Sequence, residues 1–341
     1  MMPEEAIIIV TGRCNSKCMM CNLWKSTVGD ELEPDCYKNL PGSLRTVKIT
    51  GGEPFLREDL PAVIETIGKT CNNPRFVIST NGLLPETIER HMQMILKTTR
   101  KVGVRVSVDG LGKLDDMIRG VDGAYSKALK SLKVLKGLGI KDLGISFTIQ
   151  DENVRELSRV YELSRRLGVE FTGGVVENSF RYGKGDNKFT EFDELEKQLD
   201  YVIRRELESW SLKRWFRAYY FSRLIDYAGC RHGSGSRKRE LACTAVERFF
   251  LVSPNGDVHP CTLRSECIGN MKEGGVGRIL DSKETLELSE KLRDCPIDCW
   301  TMCNVASAMK KNALSVVAWI TENKFKVHFR WRDPTWVRKR E

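Results

Sequence analysis

"AIIIVTGRCNSKCMMC", residues 6–21, runs a strand-sized apolar segment directly into a loop carrying cysteines at 14, 18 and 21. A short, uninterrupted Ile/Val run closed by Thr-Gly reads as a strand buried on both faces. Five similar runs follow: "TVKIT" (46–50), "RFVIST" (75–80), "VRVSV" (104–108), "GISFTI" (144–149) and "VEFTGGVV" (169–176). Amphipathic segments separate them. "LPAVIETIG" (60–68) sets Leu60, Val63, Ile64 and Ile67 at helical spacing, with Gly68 as its expected stop. "SKALKSLKVLKGLG" (126–139) repeats the pattern and closes at Gly139. A third helix is expected from Asn153, with Glu156 three residues on as a capping box, to Gly168. Strands alternating with helices predict a parallel sheet with right-handed crossovers, whose strand-end loops bind ligands.

Beyond residue 176 the alternation stops. Residues 190 to about 228 read as helical and include the aromatic stretch "WFRAYYF" (215–221); "CRHGSGSRKRE" (230–240) reads as a polar connector. The expected organisation is a core over 1–180, a helical linker over 181–240, a cysteine-rich unit over 241–305, and a final helix with a basic tail over 306–341. The chain holds twelve cysteines, three of them within 14–21 and six between 243 and 303. No signal peptide or membrane-length apolar run is present, so the expected location is the cytoplasm, where clustered cysteines ligate metals rather than form disulfides. The net charge of +9, from 55 Lys and Arg against 46 Asp and Glu, is well mixed. It suits docking of an acidic redox partner, and less well a nucleic-acid footprint.

Three thiolates spaced C-x3-C-x2-C reach one compact site and fall one short of the four that close a zinc or cubane site. An iron left without a protein thiolate is open to a substrate or cofactor. With "TGGEPFL" after the second strand, this pattern resembles the radical S-adenosylmethionine (SAM) superfamily. The resemblance implies a partial (β/α)6 parallel barrel and a [4Fe–4S] cluster on Cys14, Cys18 and Cys21, its open iron chelated by SAM. An electron from that cluster cleaves SAM to a 5′-deoxyadenosyl radical, which abstracts hydrogen from substrate. It further implies that Gly51, Gly52 and Glu53 meet the methionine amino group. Ser107 and Arg119 correspond to the residues that bind ribose and carboxylate, Asp109 stands beside them, "STNG" (79–82) faces the cofactor, and Met20 packs by the adenine.

The second group, Cys243, Cys261, Cys295, Cys299 and Cys303, resembles the SPASM/twitch extension, with "SPNGDVHPC" (253–261) as a hairpin turning at Asn255–Gly256 and "IGNMKEGGVGRI" (268–279) following. The chain departs from the seven-cysteine pattern, having C-x3-C-x3-C and no cysteine after 303, so one auxiliary [4Fe–4S] cluster is expected rather than two. Cys243, Cys261, Cys299 and Cys303 are the preferred ligands, Cys295 a substitute, and Cys267 is not counted. Cys295, Cys299 and Cys303, four apart, are expected on one helical face. The resemblance implies oxidation or cross-linking of an unnamed substrate, with a flavodoxin or ferredoxin as electron donor. Peptide maturation competes with small-molecule or sugar dehydrogenation; outside the family, the rival is a zinc-containing nucleic-acid binder. The first strand begins near residue 6, so no separate leader-peptide-binding domain is expected ahead of the barrel. Asp257, Asp294 and Asp298 neighbour the second cysteine group, and none is assigned as a general base.

Overall fold

The computed structural model describes residues 2–25, 29–231, 242–295, 297, 299–301, 305–306, 308–309 and 312–329. Six strands form its centre: β1 (Glu5–Ile9), β2 (Thr46–Thr50), β3 (Arg75–Thr80), β4 (Val102–Ser107), β5 (Asp142–Ile149) and β6 (Glu170–Val175). All are parallel and lie side by side in sequence order. Each expected run forms one of them. Ala6, Ile7, Ile8 and Ile9 are all buried, which is why β1 reads as apolar throughout instead of alternating.

Helices α1 (Leu60–Thr70), α2 (Pro85–Thr98), α3 (Lys113–Arg119), α4 (Ala124–Gly137) and α5 (Leu157–Leu167) make the crossovers. Gly168 ends α5 in the left-handed region at φ 65°, its N–H capping the Ser164 and Arg165 carbonyls. Two local expectations fail. Gly68 does not stop α1, which continues to Thr70. Asn153 makes no cap: its Oδ1 accepts from Gln150 N, its Nδ2 donates to the Asp109 and Thr148 carbonyls, and Glu156 Oε2 accepts from Leu111 N. Both side chains are recruited by the neighbouring strand-end loops instead.

Helices α6 (Phe192–Leu207) and α7 (Leu212–Arg231) pack together beside β6. Buried Glu206 accepts from Tyr161 Oη at 2.7 Å, Arg214 Nε at 3.1 Å and Arg217 Nη1 at 3.2 Å, fixing both helices to α5. Tyr219, Tyr220 and Phe221 of the aromatic stretch are core. Strand β7 (Phe249–Val252) then joins the central sheet, parallel to β1, and β8 (Asp257–His259) and β9 (Gly269–Asn270) extend it antiparallel. The hairpin turn is as expected, with Gly256 at φ 98°, but its first strand lies before Ser253. Short helices α8 (Val276–Leu280) and α9 (Lys283–Leu292) follow. Residues 295, 297 and 299–301 are irregular, so the expected helical face is not formed among them. The connector from 232 on, Asp298, Cys303 and the basic tail from 330 lie outside the described residues. Among the described residues, no helix is long and apolar enough to cross a membrane.

Candidate metal centres

The first cysteine loop leaves the C-terminal end of β1 and is held by backbone on two sides. Gly52 N donates to Thr11 O at 2.9 Å and Glu53 N to Arg13 O at 2.7 Å. A Cβ on Gly52 would stand 2.1 Å from Arg13 O, and one on Gly51 2.7 Å from Thr11 O. These glycines therefore let the backbone pack directly on the cysteine loop. From the other side, the end of α3 receives Lys17 N on Arg119 O and Met19 N on Ile118 O, both at 2.9 Å. Gly120, at φ 63°, lies where a Cβ would meet Lys17 O at 2.6 Å. Gly52→Ala should force the loop off this seat, at a cost of ~1–3 kcal/mol. Reconstituted iron content and melting temperature check this, and unchanged values would show that the loop has room to move.

Each thiol has a polar neighbour from a different element. Asn81 Nδ2 lies 3.9 Å from Cys14 Sγ, and Ser16 Oγ and Arg119 Nη1 lie 3.1 and 3.6 Å from Cys18 Sγ. Cys21 Sγ donates to Tyr182 O at 3.8 Å. Burial pushes the Cys14 thiol up to about 11 and raises that of Cys21. A metal would reverse this, since a coordinating thiol is deprotonated outright. Three thiols on one loop, edged by N–H and guanidinium donors, fit an iron–sulfur cluster with one open position.

The other predicted residues surround this loop. Glu53 is 1% exposed; its carboxylate accepts from Asn81 N at 2.6 Å, Thr80 Oγ1 at 2.9 Å and Phe55 N at 3.1 Å. Three donors leave acceptor capacity for one more. Burial pushes its pKa up to about 7. Met20 is buried with its carbonyl held by Asn187, and Ser107 stands half-buried at the end of β4, opposite Ser146.

Arg119 is engaged from within the chain. Its Nη2 pairs with fully buried Asp109, its Nε lies 4.0 Å from Asp115 Oδ1, and its Nη1 faces Cys18. Asp109 in turn accepts from Thr148 N at 2.6 Å through Oδ1. Burial pushes Asp115 up to about 7. Asn81 lies in the "STNG" segment singled out in the sequence, whereas Asp115 and Arg181 were not. Their position after strands β4 and β6 was the available signal.

In the C-terminal unit Cys243, Cys261, Cys295 and Cys299 line one cavity, with Leu263, Leu292 and Ile297 among its apolar walls. Cys243 Sγ accepts from Ala245 N at 3.5 Å and Cys261 Sγ from Leu263 N at 3.4 Å; Arg264 Nη1 lies 3.9 Å from Cys295 Sγ. Cys295, expected as a substitute, lines the same cavity as Cys243, Cys261 and Cys299. Cys267 is exposed and turned to the Gly269 carbonyl. Four cysteines lining one partly open cavity fit a four-thiolate cluster. Among the described residues no three His, Cys, Asp or Glu side chains are placed to hold a single metal ion.

The turn after β6 touches both centres. Asn22 N donates to Tyr182 O at 2.8 Å, Asn22 Nδ2 to Gly183 O at 3.1 Å, and Asn187 Nδ2 to Met20 O at 3.2 Å. On its other side Ser179 Oγ donates to Thr262 O, beside Cys261, and Phe180 packs on His259 with ring centroids 4.9 Å apart.

The family model "Radical SAM superfamily" matches residues 8–164, and the SPASM model, "Iron-sulfur cluster-binding domain", matches residues 243–304. The chain is 35% identical to the Fe-coproporphyrin III synthase of Methanosarcina barkeri (strain Fusaro / DSM 804), over 45% of this chain and 39% of that protein. It is 27% identical to the AdoMet-dependent heme synthase of the same organism, over 88% of this chain and 87% of that protein. The subtilosin biosynthesis protein AlbA of Bacillus subtilis (strain 168) is 26% identical over 84% of this chain and 59% of its own length. Of these relatives, then, only the heme synthase is matched over more than two thirds of its length. Among solved structures, Streptococcus suis SuiB bound to S-adenosylmethionine superposes with a TM-score of 0.62 at 15% identity, over 84% of this chain and 68% of that one.

Proposed function

The chain belongs to the radical SAM superfamily and carries a SPASM iron–sulfur domain, and from that premise we propose that it oxidises a carboxylate-bearing tetrapyrrole by hydrogen abstraction. The observation that carries the substrate class is the end-to-end likeness to a heme synthase, supported by the stronger partial likeness to an Fe-coproporphyrin III synthase. Cys14, Cys18 and Cys21 would hold a [4Fe–4S] cluster, which would supply the electron for reductive cleavage of SAM to methionine and the 5′-deoxyadenosyl radical. Glu53 offers its remaining acceptor position to an N–H of the methionine amino group, and Ser107 meets the ribose. Cys243, Cys261, Cys295 and Cys299 hold the auxiliary cluster, able to accept the electron that a net oxidation releases. The +9 charge suits an acidic flavodoxin or ferredoxin as donor; reduction rates that fall with ionic strength would support this.

The experiment is anaerobic turnover with iron coproporphyrin III, SAM and reductant. Formation of 5′-deoxyadenosine should rise above the substrate-free rate, with loss of porphyrin mass. If iron coproporphyrin III and haem change neither, the tetrapyrrole reading fails, and the likeness to AlbA makes a peptide the next substrate to try. Cys261→Ala should remove about four irons per chain, spare SAM cleavage, and suppress product. Product formation at the wild-type rate would remove any need for the second cluster.

Glu53 also gives a pH dependence. Its folded pKa, about 7, lies above its ordinary value of 4.5. The stability tied to its proton is therefore present below 4.5 and lost as the pH rises through 7. SAM binding runs the opposite way, because the ionised carboxylate is the better acceptor for the N–H of the methionine amino group. Affinity should be about tenfold weaker at pH 6 than at pH 8, and Glu53→Gln should flatten the profile. Equilibrium dialysis decides it; an equally steep profile in the variant would assign the titration elsewhere.

A further inference from the structure

Arg181, in the turn after β6, is a half-buried cation that forms no ion pair among the described residues. Its Nη2 donates to Thr50 Oγ1 at 2.9 Å, its guanidinium carbon lies 5.0 Å from the Tyr182 ring centroid, and its buried Nε has no hydrogen-bond partner. The other arginines around the first loop are taken: Arg13 by Glu31, Arg57 by Asp59, and Arg119 by Asp109. Thr50 immediately precedes Gly51, Gly52 and Glu53, and the neighbouring Tyr182 carbonyl meets Cys21. Two residues earlier, Ser179 reaches Thr262 beside Cys261. The guanidinium therefore stands at the barrel mouth, on a turn that touches both cysteine centres.

A half-buried guanidinium with no carboxylate partner is costly, and an incoming carboxylate satisfies both its charge and the open part of its planar donor fork. The anchor to Thr50 and the contact with Tyr182 fix the plane of that fork in advance. We propose that Arg181 receives a ligand carboxylate at the barrel mouth, either a propionate of the porphyrin or the amino-acid carboxylate of SAM. The porphyrin source rests on the tetrapyrrole reading above; the SAM source does not.

The test titrates reconstituted wild-type holoenzyme and Arg181→Gln with iron coproporphyrin III, its methyl ester, SAM and decarboxylated SAM. If the propionate is the partner, the variant binds the porphyrin acid about 10- to 100-fold more weakly, with ester and SAM affinities unchanged. If the cofactor is the partner, SAM loses that factor and its decarboxylated analogue does not. Arg181→Lys should recover part of the loss in either case. Iron content and circular dichroism establish that the variants are folded and loaded. A folded, loaded Arg181→Gln that binds every carboxylate ligand of the wild type with unchanged affinity overturns the assignment. Wild-type protein that binds SAM and no porphyrin instead overturns the tetrapyrrole reading, and the SAM titration alone then decides the role of Arg181.

Discussion

Cys18→Ala should yield a protein that forms no 5′-deoxyadenosine above reductant background, having lost about four irons per chain and kept those of the second centre. Cys18 is the middle ligand of the three and the most closely surrounded, with Ser16 Oγ at 3.1 Å and Arg119 Nη1 at 3.6 Å. A site built on three thiolates has none to spare, so the substitution removes the site rather than weakening it. Iron analysis and chromatography of the cleavage product read the two halves of the expectation separately. Retained cleavage would contradict the role given to this loop.

The second large effect is expected on stability. Arg119 and Asp109 are both buried, and neither can be solvated if the other is removed. Arg119→Gln should destabilise the fold by ~3–5 kcal/mol, the range for breaking a buried ion pair by removing one partner. Asp109→Asn should cost a comparable amount, and the double variant less than the sum of the two. Urea unfolding of the reconstituted proteins measures each, and additive losses would show that the pair acts as two independent residues. Arg119→Gln carries a further signature, because it takes a cation away from Cys18. The midpoint potential of the first cluster should fall by tens of mV, on the order of the ~59 mV that one factor of ten represents for a one-electron couple. A pair that serves only to hold the fold would leave that potential unmoved.

These expectations also mark the limit of what the sequence could tell. β1 was legible because its residues from Ala6 to Ile9 are all buried and so write themselves as a contiguous apolar run, and the other core strands because buried apolar residues recur along them. The cysteine loop was legible because its ligands are local. Asn153 and Glu156 satisfied the capping pattern, yet they serve the loops after β4 and β5, whose proximity only the folded sheet creates. Arg119 presents the same difficulty. Sequence order places it after the fourth strand and four residues beyond Asp115 on one helix, but does not reveal that buried Asp109 pairs with its guanidinium. Likewise the four-residue spacing of Cys295 and Cys299 suggested a helix, whereas the described residues there are irregular. Pro296 is visible in the sequence and disfavours helical backbone at Cys295, so that signal was present and unused.

The pairing of β7 with β1 bears on how this protein can be dissected. Cutting the chain before residue 242 would strip β1 of its neighbour from Glu5 to Ile8. That would open a row of unsatisfied amides along one of the most apolar strands of the molecule. Such an edge templates strand addition by other chains. A barrel expressed alone is thus expected to aggregate for reasons unrelated to its cysteines, and failure of such a fragment would carry no information about the chemistry of the second centre. Point substitution within the intact chain is the route that keeps the two questions apart.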